Sequence, residues 1–262
     1  MNRMHNENLP MLWTTRLAFK REEEQDFPST CCLCYSDSFH DYLQTKSFLH
    51  PKERVYFSQL QFNRRIKSYL AGRYAGKNAV SLLSGEEKLS AIAIEPGIFH
   101  QPVVHFPGRS AIQVTISHCD DLGMALAYPD TCPLGVDIER LQADKQAVLA
   151  GQMTAEEHGL IQSLPFSSVH SLTLFWTVKE SLSKVLKTGF TSPIDIFAIR
   201  TVEVAHPVVT SYFENFPQYC ATSFFFTSYI CSITHPKGVD WPKDSIYRLL
   251  SQVTPVLERI NT

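Results

Sequence analysis

The sequence predicts an α+β protein built of two similar halves. Alternating strand signals crowd the centre of the chain, and a long helical period precedes them and another follows. The order helix, strands, helix, strands places a joint near residue 133. It divides a first half, 29–132, from a second, 133–262, with residues 1–28 as an extension ahead of both.

Taken in order, residues 1–28 mix Asn, Arg and the acidic run Glu22, Glu23, Glu24 with scattered apolar residues, the composition of a loosely docked arm. The spacing predicts a short helix over Phe39–Leu49, and Pro51 opens a second. Residues 62–83 keep helical apolar spacing through Ile66, Leu70, Tyr74 and Ala79, with Arg64, Arg65, Lys67, Arg73 and Lys77 on or beside the polar flank. The interval 95–110 holds three prolines and two glycines and reads as turns. AIQVTISH (111–118) then alternates as a strand: Ile112, Val114, Ile116 and His118 share one face, and Gln113, Thr115 and Ser117 the other. GMALAYP (123–129) reads as its hairpin partner and LGVDIERL (134–141) as a third strand. Helical spacing returns over Met153–Leu164 and, more strongly, over 172–187. DIFAIRTVEV and SFFFTSYICSITHP read as strands, and IYRLLSQVTPVLERI as a short helix broken before Pro255. No exact repeat links the halves, and their similar order leaves a diverged duplication open.

The 262 residues suffice to bury a substantial core, and 44% hydrophobic with 19% charged residues is ordinary for a globular chain. A net charge of -2 lacks the basic excess of a nucleic-acid-binding protein. No apolar run approaches the roughly 20 residues that span a bilayer. The first residues lack a signal-peptide core, so the expectation is a cytoplasmic protein with no membrane partner. Seven cysteines are an odd number for a disulfide framework, and the cluster Cys31, Cys32, Cys34 is followed by no second cluster at zinc-site spacing. They read as reduced thiols.

Three segments could carry chemistry. In the strand GVDIER, Asp137 and Glu139 project to one face roughly 7 Å apart, with Val136 and Ile138 on the other. Taken alone, the pair is either a solvated strand edge with Arg140 as counterion or a seat for a hard cation such as magnesium, which prefers oxygen ligands. On the helix 172–187, Phe175, Val178, Leu182, Val185 and Leu186 form the apolar stripe, and Glu180, Lys184 and Lys187 lie opposite. Glu180 with Lys184 is either a surface ion pair or a third acid beside a phosphate-binding cation. Ser117 and His118 end a strand before a turn, as a core-edge imidazole or as phosphate donors. No GxSxG turn accompanies the serine, which argues against a hydrolase triad.

Together, TISH, then GVDIE, then FWTVKESLSK resemble the 4'-phosphopantetheinyl transferases of the surfactin-synthetase type. Their hallmarks are a G-[IV]-D-[IVL]-E strand and an [FW]-x-x-K-E-[AS]-x-x-K helix. Both are intact here, as Gly135 to Glu139 and as Trp176, Lys179, Glu180, Ser181 and Lys184. HPKERVYF, YLAGRYAGK, FHQPVV and KTGF extend the similarity over roughly residues 30 to 240. The resemblance implies two α+β halves related by a pseudo-twofold axis, with coenzyme A in the cleft between them. It implies transfer of the phosphopantetheine arm of coenzyme A to a serine of an acyl or peptidyl carrier protein, the holo-[acyl-carrier-protein] synthase type of reaction, in fatty acid, polyketide or nonribosomal peptide synthesis. By the same resemblance Asp137, Glu139 and Glu180 hold Mg2+, Lys184 and His118 contact phosphate oxygens, Ser117 helps seat the 3'-phosphate, and Glu180 is a candidate base. A loop lysine of the family is missing at His100-Gln101-Pro102; Arg64, Lys67, Arg73 and Lys77 are the candidates to replace it. The chain length fits a monomer rather than the short single-half trimers. A noncatalytic carrier-binding homologue and a magnesium phosphohydrolase acting on coenzyme A are the alternatives.

Overall fold

The computed structural model describes residues 9–20, 26–107, 111–240 and 242–260. The first half opens with strands β1 (Met11–Lys20) and β2 (Asp26–Tyr35), helices α1 (Phe39–Gln44), α2 (Pro51–Phe57) and α3 (Asn63–Ser84), and a small hairpin of β3 (Ala93–Pro96) and β4 (Pro102–His105). It closes with β5 (Ile112–Cys119) and β6 (Leu122–Pro129). The second half runs β7 (Gly135–Arg140), α4 (Gln146–Ala150), α5 (Ala155–Ser163), α6 (Ser168–Leu186), β8 (Ile199–Ala205), β9 (Val208–Phe213), β10 (Tyr219–Phe226) and β11 (Tyr229–Pro236). A last helix, α7 (Lys243–Ile260), follows. The α+β class expected from the sequence is the class observed.

Two antiparallel sheets form, in the orders β1-β2-β6-β5 and β7-β11-β10-β9-β8. Because side chains alternate along a strand, each sheet has two apolar faces to bury. Cys32, Cys34, Ala125 and Ala127 pack with α3, and Ala221, Ile230 and Val209 with α6. The opposite faces, Cys31, Leu33, Met124 and Leu126 from one sheet and Val136, Ile138, Cys231 and Ile233 from the other, share a single core. Helix α7 seals that core with Ile246, Leu249, Leu250, Val253 and Leu257. The long helices approach closely where a side chain is missing: a Cβ on Gly123 would stand 2.7 Å from the carbonyl oxygen of Ala71, and one on Gly135 would collide with that of Ser181.

The halves repeat one plan. β2-α1-α2-α3-β3-β4-β5-β6 has the same order as β7-α4-α5-α6-β8-β9-β10-β11. Each half also contains one buried ion pair built the same way. Glu53 sits at the third position of α2 in a capping box with His50, pairs with Lys77 of α3 at 2.6 Å, and accepts from the Ile94 amide. Glu157 sits at the third position of α5 in a capping box with Thr154, pairs with Lys179 of α6 at 2.6 Å, and accepts from the Ile199 amide. Such a pair survives burial because both oxygens of each carboxylate have partners: the lysine and a capping amide at one, a strand amide at the other. It locks the short helix, the long helix and the next strand together. These shared pairs extend the common plan of the halves from element order to buried chemistry.

Two expectations change. Residues 11–20, expected in a loose arm, form a strand paired with β2 along its whole length, because Leu17 and Phe19 alternate into the shared core. Glu22, Glu23 and Glu24, and residues 1–8, lie outside the described residues. Helix α7 continues through Pro255 instead of breaking before it. Burial of Val253 and Leu257 on either side offsets the backbone hydrogen bond that the proline cannot donate. Among the described residues no helix is long and apolar enough to cross a membrane.

Candidate active site

The two sheets meet along β5 and β7, and the meeting is made by side chains. Thr115 Oγ1 accepts from the Val136 amide at 3.2 Å, Ser117 Oγ from Ile138 at 3.2 Å, and Cys119 Sγ from Arg140 at 3.3 Å. Alternate residues of β5 thus satisfy alternate amides of β7, in place of a backbone ladder. Ser117 Oγ also donates to Asp137 Oδ1 at 2.8 Å, and Cys119 Sγ lies 3.7 Å from Glu139 Oε2 as its donor.

Because Val136 and Ile138 enter the shared core, Asp137 and Glu139 must point the other way, toward α6. Helix α6 reaches β7 over Gly135, and Lys184 Nζ donates to both the Val136 carbonyl and Asp137 Oδ1 at 2.8 Å. Asp137 is 4% exposed and its second oxygen, Oδ2, is buried without a hydrogen-bond partner. Burial, and then the neighbouring Asp137 charge, raise the pKa of Glu180 to about 7, against the opposing pull of Lys184. The same two causes, in that order, raise that of Glu139. Burial pushes the Cys119 thiol up to about 12, so it stays protonated as a donor.

Asp137, Glu139, Glu180 and Lys184 are therefore neighbours, drawn from one strand and one helix. Three mutually repelling carboxylates, one with an orphaned buried oxygen, suit a hard divalent cation. They do not form a closed cage: among the described residues no group of three His, Cys, Asp or Glu side chains is gathered closely enough to hold a metal.

Cavities surround this point. One of about 220 Å³ lies between the β3–β4 tip and α6 and touches Glu180, Lys184 and Lys187. A second, of about 620 Å³, lies between α2, α3 and β3. A third, of about 700 Å³, borders Glu139. Arg65 and His118 line both the second and the third. His118 is an exposed residue at the end of β5, and desolvation by the cleft walls, then Lys184, lower its pKa.

The basic candidates of α3 separate. Lys77 is 1% exposed; its ammonium is enclosed by Glu53 and by the carbonyls of Leu89 and Ile92. It is a packing group, which corrects its place among the ligand-binding candidates: burial leaves it no open side. Lys67 is held by Asp121 at 2.6 Å and by the Asp37 carbonyl. Arg73 lies 3.3 Å from Glu53 and stacks on Tyr69, on the wall of the second cavity. Arg64 lines only the third cavity. Ser117 lines none of these cavities; its hydroxyl is engaged with β7. Arg65, outside the sequence-based candidate set, has no ion-pair partner among the described residues and faces two cavities. Its position one and two turns ahead of Ser68 and Gly72, on the same helical face, was the available signal.

Residues 133–234 match the family model of the 4'-phosphopantetheinyl transferase superfamily. The matched segment runs from just before β7 almost to the end of β11. It contains Asp137, Glu139, Glu180 and Lys184, and it leaves Ser117, His118 and the α3 cations outside. A solved structure of a holo-(acyl-carrier-protein) synthase from Bacillus anthracis str. Ames in complex with CoA (3',5'-ADP) is similar to this chain at 17% identity. The similarity covers 45% of this chain and 96% of that one, with a TM-score of 0.35. No curated protein matches the chain.

Proposed function

We propose that this protein transfers the 4'-phosphopantetheine arm of coenzyme A to a serine of an acyl or peptidyl carrier protein and releases adenosine 3',5'-bisphosphate. The observation that carries this reading is the buried, unpartnered Oδ2 of Asp137 beside Glu139, Glu180 and Lys184, within the segment that matches the superfamily. Asp137 Oδ2, Glu139 and Glu180 would have to draw closer together to hold Mg2+, which when bound neutralises charge on the pyrophosphate. Lys184 and His118 line two cavities that share His100, Pro102 and Ile116 as walls, and would contact phosphate oxygens, where negative charge grows as the pyrophosphate breaks. Glu180, which lines the cavity beside Lys184, is the candidate to take the proton of the carrier serine. Coenzyme A would lie along the cavities lined by Arg65, Arg73 and His118. The carrier would dock over Gln142–Met153, where Val148 is 66% exposed beside a cavity of about 370 Å³.

Incubation with coenzyme A, Mg2+ and an apo carrier protein, followed by intact-mass measurement, tests the reading. The carrier should gain one phosphopantetheine. Binding without a mass gain would favour a noncatalytic carrier-binding protein, and release of phosphopantetheine to water a phosphohydrolase. Asp137→Ala should lower the transfer rate by about 10²–10³-fold while leaving the fold intact, since the residue is a charged group rather than packing. Undiminished magnesium-dependent transfer by that variant would sink the site assignment.

A further inference from the structure

We propose that Ser117 and Cys119 of β5 are positioning residues that orient the two β7 carboxylates for the cation, so that the metal site is completed only when the first half docks on the second. The proposal rests on the magnesium reading above. Asp137 and Glu139 belong to one sheet, and both groups that hold them in place from β5 belong to the other.

The geometry is specific. Asp137 Oδ1 receives two donors, Ser117 Oγ from β5 and Lys184 Nζ from α6, both at 2.8 Å. A carboxylate held at one oxygen from two directions cannot rotate freely, and its other oxygen stays where it is, buried and unpaired. The Ser117 hydroxyl is fixed in turn by the Ile138 amide at 3.2 Å, which leaves its proton directed to Asp137. Two residues on, Cys119 repeats the arrangement: it accepts from the Arg140 amide and faces Glu139 Oε2 with its proton. Thr115 makes the same amide contact, to Val136, but no carboxylate contact is made there. β5 therefore contains its own control.

Mn2+ affinity, measured by calorimetry or electron paramagnetic resonance on the full chain, separates the roles. Loss of an outer-sphere hydrogen bond typically weakens metal binding by about 10- to 100-fold. Ser117→Ala should show a loss in that range and Cys119→Val one near its lower end, while Cys119→Ser, which keeps a donor and an acceptor, should bind like the parent. Thr115→Val should lower the melting temperature and leave Mn2+ affinity unchanged. Parental affinity in both Ser117→Ala and Cys119→Val would overturn the proposal. So would a loss in Thr115→Val equal to theirs, because the effect would then belong to the loosened seam. An Ser117→Ala variant with a raised KM for coenzyme A and unaltered Mn2+ affinity would also overturn it, in favour of a phosphate contact. If Asp137→Ala binds Mn2+ as tightly as the parent, the metal reading itself fails and this proposal with it.

Discussion

The two halves share a scaffold and differ in what they place on it. Aligned on their buried Glu–Lys pairs and on strand register, Cys32 and Cys34 of β2 occupy the places of Asp137 and Glu139 on β7. Asn78 stands where α6 has Glu180, and Leu82 where it has Lys184. Under α3 the contacts are methyl on methyl, Ala75 and Ala79 over Ala125 and Ala127. Under α6 they are hydroxyl on hydroxyl, Thr177 to Ser232 and Ser181 to Thr234, both at 2.7 Å. A buried apolar seam needs no partners, whereas a polar one is tolerated only when fully paired, and pairing fixes the helix along its axis. The half with the candidate chemistry is the half with the specified register.

The largest effect should come from breaking the shared ion pair. Lys179→Met strands the Glu157 carboxylate in the core and should cost about 3–5 kcal/mol in urea unfolding. Lys77→Met should cost less, because Arg73 remains 3.3 Å from Glu53, whereas among the described residues no second cation pairs with Glu157. Equal losses would show that Arg73 contributes nothing to the first pair.

His235 distinguishes the halves by pH, since Tyr128 holds its place in the first sheet. Burial lowers the His235 pKa from 6.5 to about 4. The unfolded chain binds a proton there near pH 6.5 and the folded chain does not. Stability present above pH 6.5 should therefore be lost as the pH falls toward about 4, by at most ~3 kcal/mol from this group. Unfolding of His235→Gln across that window should show a flatter pH profile than the parent, and an unchanged slope would rule the group out.

Within α3, Arg65→Ala should raise the KM for coenzyme A by about 10- to 100-fold, the worth of a charge-assisted phosphate contact. It should leave the melting temperature near the parent's, while Lys77→Met does the reverse. The smallest effect should be converting one seam into the other. Ser181→Ala with Thr234→Ala reproduces the Ala79 and Ala127 pair and should change stability by less than about 1 kcal/mol. Ser181→Ala alone leaves the Thr234 hydroxyl buried without this partner and should cost more.

What could be read in advance was whatever depends on neighbours in sequence. The period of 172–187, the alternation of 112–118 and the acids of GVDIE are local, and each appears as α6, β5 and β7. The strand at Met11–Lys20 was hidden by the charged residues around it, although Leu17 and Phe19 already alternated. The common plan of the two halves was hidden for a different reason. Its shared elements are two Glu–Lys pairs whose members lie far apart in the chain, while the residues between them differ.

By itself the sequence determined the α+β class, the long helices, the central strands, and that three acids and a lysine lie on two amphipathic elements, because backbone periodicity is a local property. Tertiary structure alone decided which cations are free. Lys77 and Arg65 leave the same helix, but Lys77 is closed in by Glu53 and the carbonyls of Leu89 and Ile92, and Arg65 opens on two cavities. It also decided that Ser117 and Cys119 belong to the carboxylates of another sheet, since burial and hydrogen-bond partnership are set by what packs across a gap that the chain crosses only once folded.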